Sequence, residues 1–128
     1  MIATRCPFCS SQGAILANSL AYVLPDRHPV TPGHLLLIPR RHEPDFLAAT
    51  SAELAALWEL VIEAKALLQR ERRPDGYNLG VNVGQAAGQT IAHAHLHLIP
   101  RYLGDTADPS GGVRGVIPDR QHYLADTP

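Results

Sequence analysis

"HAHLHLIPRY", residues 93–102, places His93, His95 and His97 at every second position of an otherwise apolar run. On a strand, successive side chains point to opposite faces. The three imidazoles and Ile99 are therefore expected on one face, and Ala94, Leu96 and Leu98 on the other. One face then serves a core and the other carries chemistry. Three uses fit the pattern: a solvated polar surface, a three-imidazole metal site, or nucleophilic catalysis in which neighbouring rings fix tautomer and charge.

Working outward, "VGQAAGQT" (83–90) lies just before the histidines. Its glycines allow tight turns that gather backbone N–H groups into an anion-binding concavity, and Gln89 and Thr90 add side-chain donors. Upstream, Tyr77, Leu79, Val81 and Val83 alternate with Asn78, Gly80 and Asn82 as in a half-buried strand. The clearest helix starts at a capping box of Thr50 and Glu53. It continues through Leu54, Leu57, Trp58, Val61, Ala64 and Leu68 and ends at "RRPDG" (72–76). A strand is expected from about His34 to Pro39, and two short ones in "AILANSLAYVLPD" (14–26) around Asn18-Ser19. This order predicts an α+β domain with a mostly antiparallel sheet. The segment from Leu103 onward is turn-rich and has no clear period.

The 128 residues fit one domain, and 45% hydrophobic with 18% charged residues is ordinary for a globular chain. A net charge of -1 supplies no broad basic field, so nucleic-acid and anionic-membrane binding are not expected. A phosphate-bearing ligand would need local donors. "MIATRCPFCSS" has too short an apolar stretch for a signal peptide, and no run is long enough to span a bilayer. A cytoplasmic protein is the default expectation. There, Cys6 and Cys9 read as a metal or redox pair before a disulfide. Two thiolates two residues apart form half of a tetrahedral zinc site. The thioredoxin-like alternative needs a strand before the pair and a helix after it, whereas only five residues precede Cys6 and "SSQG" follows Cys9.

His93-Ala94-His95-Leu96-His97-Leu98-Ile99 resembles the signature of the histidine triad (HIT) superfamily of nucleotide hydrolases and transferases. "VTPGHLLLIPRRH" (30–42), "GYNLGVNVGQAAGQT" (76–90) and "HLIPRY" (97–102) are similar to that family in order and interval. The resemblance runs over about residues 6–102. It is nearest to bacterial members that share features with the dinucleoside-polyphosphate-cleaving branch, and "DPSGGVRGVIP" (108–118) resembles a C-terminal segment of some of them.

The resemblance implies a HIT-like fold: a five-stranded sheet, one long helix and a short one, with the sheets of two copies joined in a homodimer. It implies a HIT domain over residues 1–102, N-terminal metal segment included, with residues 103–128 as a tail packed on the domain or on the partner subunit. His95 becomes the nucleophile toward the α-phosphorus of a nucleotide, giving a nucleotidyl-histidine. His97 assists, with the backbone and side chains of Gln89, Thr90 and Ile91 as donors to the phosphoryl oxygens. A free imidazole, with a pKa of about 6.5, is mostly uncharged at neutral pH. His34 corresponds to a fourth site histidine near the nucleophile. Asp26 is placed on the ribose hydroxyls, Asn82 on ribose or phosphate, and Leu20, Tyr22 and Leu24 are candidates for the base pocket. Zinc-bearing relatives imply a closed structural site of Cys6, Cys9, His42 and His93. Leu60 and Leu67 are expected to reach an interface, and Arg114 to contact phosphate if the tail crosses to a second subunit.

The activity so implied is cleavage at the α-phosphate of a purine nucleotide derivative, a dinucleoside polyphosphate or a nucleoside phosphoramidate. The alternatives are a nucleotide-binding sensor with little turnover, a phosphorylase-type nucleotidyl transferase, and a zinc protein whose three strand histidines all serve metal.

Overall fold

The computed structural model describes residues 6–123. Five strands run in chain order: β1 (Leu16–Ala17), β2 (Ala21–Pro25), β3 (Leu35–Pro39), β4 (Gly76–Val81) and β5 (Leu96–Arg101). They form one antiparallel sheet in spatial order β1-β2-β3-β5-β4. The long helix, α1 (Ser51–Glu71), crosses one face. The shorter helical pieces are 3-10 turns, of which Phe46–Ala48 leads into α1.

The start of α1 follows from local chemistry. The Thr50 hydroxyl accepts from the Glu53 amide at 3.1 Å, and the Glu53 carboxylate accepts from the Thr50 amide at 2.9 Å. Two otherwise unpaired donors of the first turn are satisfied reciprocally. Ala56, Leu57, Leu60, Val61, Ala64 and Leu68 then bury against Ala21, Val23, Leu35, Leu37 and Leu98 of the sheet. Leu54 and Trp58, expected in this core stripe, are exposed instead. Leu60, expected at an interface, is fully buried in the core, and Leu67 is half-buried. α1 carries more apolar residues than one contact face holds, so two stripes compete and packing on the sheet selects one.

The other sheet face holds Tyr22, Leu36 and Ile38, covered by Phe8 of the N-terminal segment. His97 faces Leu36 of β3 and Gly80 of β4 in register, which puts it on this second face. One expectation is corrected here: β5 begins at Leu96, so His93 and His95 precede the strand. The Ala94 amide donates to the Glu43 carbonyl at 2.7 Å rather than into the ladder, and the chain peels away from β3 at that point. Asn82 likewise lies just past β4.

Candidate functional site

A cavity of about 630 Å³ opens on the second face, lined by Phe8, Asp26, Asn82, Thr90, Ile91, His95 and His97 among others. Six residues singled out from the sequence thus meet in one place. Leu24 lines the cavity as well, whereas Tyr22 is buried in the core beneath and Leu20 sits exposed at the β1–β2 turn.

The proton positions follow from the partners of each ring. His95 Nδ1 faces the His93 carbonyl at 2.8 Å. A carbonyl only accepts, so Nδ1 carries the hydrogen and the lone pair lies on Nε2. The Val30 amide donates to His34 Nδ1 at 3.2 Å, so the His34 hydrogen is on Nε2, 2.9 Å from His97 Nδ1. His97 therefore accepts on Nδ1 and presents Nε2–H. The rings of His95 and His97 stand 5.2 Å apart, centroid to centroid. His34 is buried behind His97, and its Nε2 also lies 3.4 Å from Asp26 Oδ2. Burial lowers the pKa of both His34 and His97 below the ordinary 6.5; the Asp26 carboxylate partly opposes this at each ring, and His95 and His34 deepen it at His97.

Two expectations about the loop change. The amides of Ala87, Gly88 and Gln89 bond to carbonyls of Gly84 and Gln85, so they close the turn instead of facing the cavity. Gly84 and Gly88 hold φ of 88° and 89°, values that favour glycine. The Gln89 side chain is turned into the loop: it donates to the carbonyls of Pro44 and Ile91 at 2.7 and 3.0 Å and accepts from the Gly84 amide at 2.8 Å. Thr90 and Ile91 are the loop residues at the cavity wall. Arg114, expected on phosphate, donates to the carbonyls of Gln121 and Arg120 and stacks over Tyr123 of its own tail.

Phe8 was missed from sequence. Its ring packs edge-on against His95 at 5.0 Å, and the Tyr22 hydroxyl donates to its carbonyl. Its place inside Cys6–Cys9 was the available signal.

Beside the cavity, the ligand atoms of Cys6, Cys9, His42 and His93 all lie within 4.8 Å of one another. His93 Nε2 donates to the Pro39 carbonyl at 2.7 Å, which leaves its Nδ1 lone pair facing Cys6 Sγ at 3.3 Å and His42 Nδ1 at 3.2 Å. Cys9 Sγ is 3.2 Å from His42 Nδ1 and 3.7 Å from His93 Nδ1. A tetrahedral zinc separates its nitrogen and sulfur ligands by about 3.3–3.8 Å. The donor set fits such an ion, with the Pro39 carbonyl orienting the His93 ring from behind. Asp26, His34 and His97 also converge, but hydrogen bonding within that group accounts for their approach.

The "HIT domain" family model matches residues 10–104. The chain is 34% identical over 96 residues to "AP-4-A phosphorylase" of Mycobacterium tuberculosis, covering 73% of this chain and 49% of that protein. It is 34% identical over 89 residues to the "Bifunctional bis(5'-adenosyl)-triphosphatase/adenylylsulfatase FHIT" of Arabidopsis thaliana, covering 70% of this chain and 49% of that protein. The chain thus spans about half the length of these two curated relatives. Among solved structures it resembles a zinc-bound histidine triad family protein from Mycobacterium smegmatis, with a TM-score of 0.71, 29% identity, and coverage of 80% of this chain and 79% of that one. The sheet, the histidine pair at its cavity and the matched span together establish that this chain belongs to the HIT-domain family.

Proposed function

We propose that the chain is a nucleotidyl hydrolase or transferase acting at the α-phosphorus of a purine nucleotide derivative. The observation that carries this reading is the tautomer of His95: its proton is held by the His93 carbonyl, and its free lone pair belongs to a ring lining the cavity. His95 Nε2 forms a bond to phosphorus as the leaving group departs with its electron pair and takes a solvent proton. Water then attacks the same phosphorus, releases a proton to solvent and frees the imidazole. The net reaction consumes one water. The His97 Nε2–H donates to the phosphoryl oxygens, and His34 fixes the His97 ring from behind. Thr90 and the Ile91 backbone add donors, Gln89 holds the loop that presents them, Asp26 accepts from ribose hydroxyls, and Asn82 reaches ribose or phosphate.

Cys6, Cys9, His42 and His93 would hold a structural zinc, which supplies no open coordination position and fastens the N-terminal segment to the base of the site. Residues 1–102 form the domain in this reading and 103–128 the tail; residues 1–5 and 124–128 lie outside the described residues. Two chains pair through edge strand β4 and the exposed Trp58, Ile62 and Leu79 beside it. No described helix is long and apolar enough to cross a membrane, and two unpaired thiols suit the reducing cytoplasm.

The test is mass spectrometry after a rapid acid quench with a diadenosine polyphosphate or an adenosine phosphoramidate. The expected product is a nucleoside monophosphate adduct on His95, absent from His95→Ala although that variant still binds AMP. An adduct persisting in His95→Ala would overturn the assignment, and AMP binding with no adduct would favour a sensor. Adding inorganic phosphate to the phosphoramidate reaction distinguishes the acceptors: there the leaving amine carries no nucleotide, so ADP as product marks a phosphorylase and AMP a hydrolase.

A further inference from the structure

Cys6 and Cys9 are the only two cysteines of the chain, and the turn between them reaches beyond the ligand cluster. The Cys9 amide donates to the Cys6 carbonyl at 3.3 Å, so Cys6-Pro7-Phe8-Cys9 is one β-turn. Its two central residues, Pro7 and Phe8, both line the cavity that holds His95. The Phe8 ring is buried and meets the rings of His95 and His93 edge-on, at 5.0 and 6.1 Å between centroids. A change in the torsions of either cysteine is therefore passed directly to one wall of the cavity.

The two halves of the cluster differ in access. His93 is fully buried with its Nε2 on the Pro39 carbonyl, whereas Cys9 and His42 are exposed and Cys6 is half-buried. A soluble oxidant thus reaches Cys9 Sγ first. Cys6 Sγ lies within 4.8 Å of it. A β-turn keeps its end Cα atoms within about 7 Å, near the span of about 4.4–6.8 Å that a disulfide bridges. The bond closes by side-chain rotation and a small adjustment of the turn. Sulfurs joined to each other no longer serve as thiolate ligands, so a zinc ion would keep only His42 and His93 of its four.

We propose that Cys6 and Cys9 are a reversible oxidation site, at which hydrogen peroxide forms a disulfide, releases the zinc and loosens the Pro7–Phe8 wall of the nucleotide cavity. The proposal rests on the zinc and nucleotide readings above. Cys9 Sγ attacks one peroxide oxygen, the O–O bond breaks, and hydroxide leaves behind a sulfenic acid. Cys6 Sγ then attacks that sulfur: the S–S bond forms, the S–O bond breaks, and a second hydroxide leaves. Two solvent protons convert the hydroxides to water. The thiolate pair loses two electrons, the peroxide gains them, and one peroxide is consumed per chain. A small dithiol reverses the step by exchange, which frees both thiols to bind zinc again.

The experiment first measures zinc content with a chromogenic chelator and AMP affinity by calorimetry, before any oxidant is added. Absence of zinc overturns the structural-zinc reading and this proposal with it; absence of AMP binding does the same for the nucleotide reading. One equivalent of hydrogen peroxide should then give a Cys6–Cys9 peptide lighter by two hydrogens and free zinc in solution. AMP affinity should fall by about tenfold, the scale of one lost apolar contact in a fitted pocket. Dithiothreitol with added zinc should restore all three. Cys9→Ser should show no change of AMP affinity on peroxide treatment. If that variant does not fold, restoration by dithiothreitol decides, because oxidation elsewhere in the chain is not reversed by it. Thiols and zinc left intact, a disulfide between two chains, Cys9 overoxidised without a disulfide, or a disulfide with unaltered AMP affinity would each overturn the oxidation site and leave both earlier readings standing.

Discussion

His34 takes the Val30 amide on one nitrogen and faces His97 with the other. Burial lowers the pKa of both rings, so each stays neutral below the ordinary 6.5. Protonation of the His34–His97 pair is therefore expected below pH 6.5, measurable by an NMR titration of the imidazole C–H shifts. Stability follows the same groups. Between the lowered folded value and 6.5 the unfolded chain binds more protons, so acidification through that window weakens the fold. Asp26 acts in the opposite sense, raising His34. Asp26→Asn should move the His34 titration to still lower pH, readable from imidazole C–H shifts in NMR; an unmoved or upward-moved titration would contradict that coupling. His34, Asp26 and Asn82 were pointed to in the sequence only by the family resemblance. Which nitrogen carries each proton was not legible there, because that depends on carbonyls and amides brought close only by the folded backbone.

The first turn of α1 is joined to the strand end that carries His42. Arg41 donates to both carboxylate oxygens of buried Glu53 at 3.0 Å, and this bidentate pair pulls the Glu53 pKa down to about 2. Glu53→Gln removes that partner and weakens the capping box. The expected loss is about 1–3 kcal/mol, below that of a fully buried pair because Arg41 is half exposed to screening water. Urea titration at pH 7 would measure it. The stabilisation is present above pH 4.5 and disappears as pH falls toward about 2, so wild type and variant should converge in acid. On the other face, burial pushes the Tyr22 phenol up to about 12, which keeps it a donor to Phe8. Tyr22→Phe orphans the Phe8 carbonyl at a cost of about 1–2 kcal/mol. It should also raise KM by releasing the ring that supports His95. The Thr50–Glu53 box and the five strands could be read from sequence because they are local patterns. The buried stripe of α1 could not, since Leu54 and Trp58 match helical spacing as well as Leu60 does.

At the scale of the molecule, the four-ligand cluster ties residues 6–9 to the β3 end and to the histidine segment. Stripping metal with a chelator should lower the melting temperature by at least about 5 °C, the shift expected when a ligand of the native state alone is withdrawn. Elemental analysis should give one zinc per chain. Adduct formation should persist wherever the stripped protein remains folded; loss of the adduct without unfolding would assign the metal to the chemistry. The exposed Trp58 and Ile62 of α1 and Leu79 of β4 line one shallow cavity beside the outermost strand of the sheet. Trp58→Asp should convert a dimer to monomer in analytical ultracentrifugation, and an unchanged sedimentation coefficient would remove that interface.

Spacing and residue type determined the antiparallel α+β class, the capped helix, the histidine row and the Cys6–Cys9 pair, while His34, His42, Asp26 and Asn82 came from the family resemblance. Periodicity and residue type survive unfolding and can be counted along the chain. Only the tertiary structure decided that His93 and His95 leave the strand and that Gln89 serves its own loop. Each of those outcomes depends on hydrogen bonds between residues distant in sequence. Ala94 meets Glu43, Gln89 meets Pro44, and no local pattern encodes such a meeting.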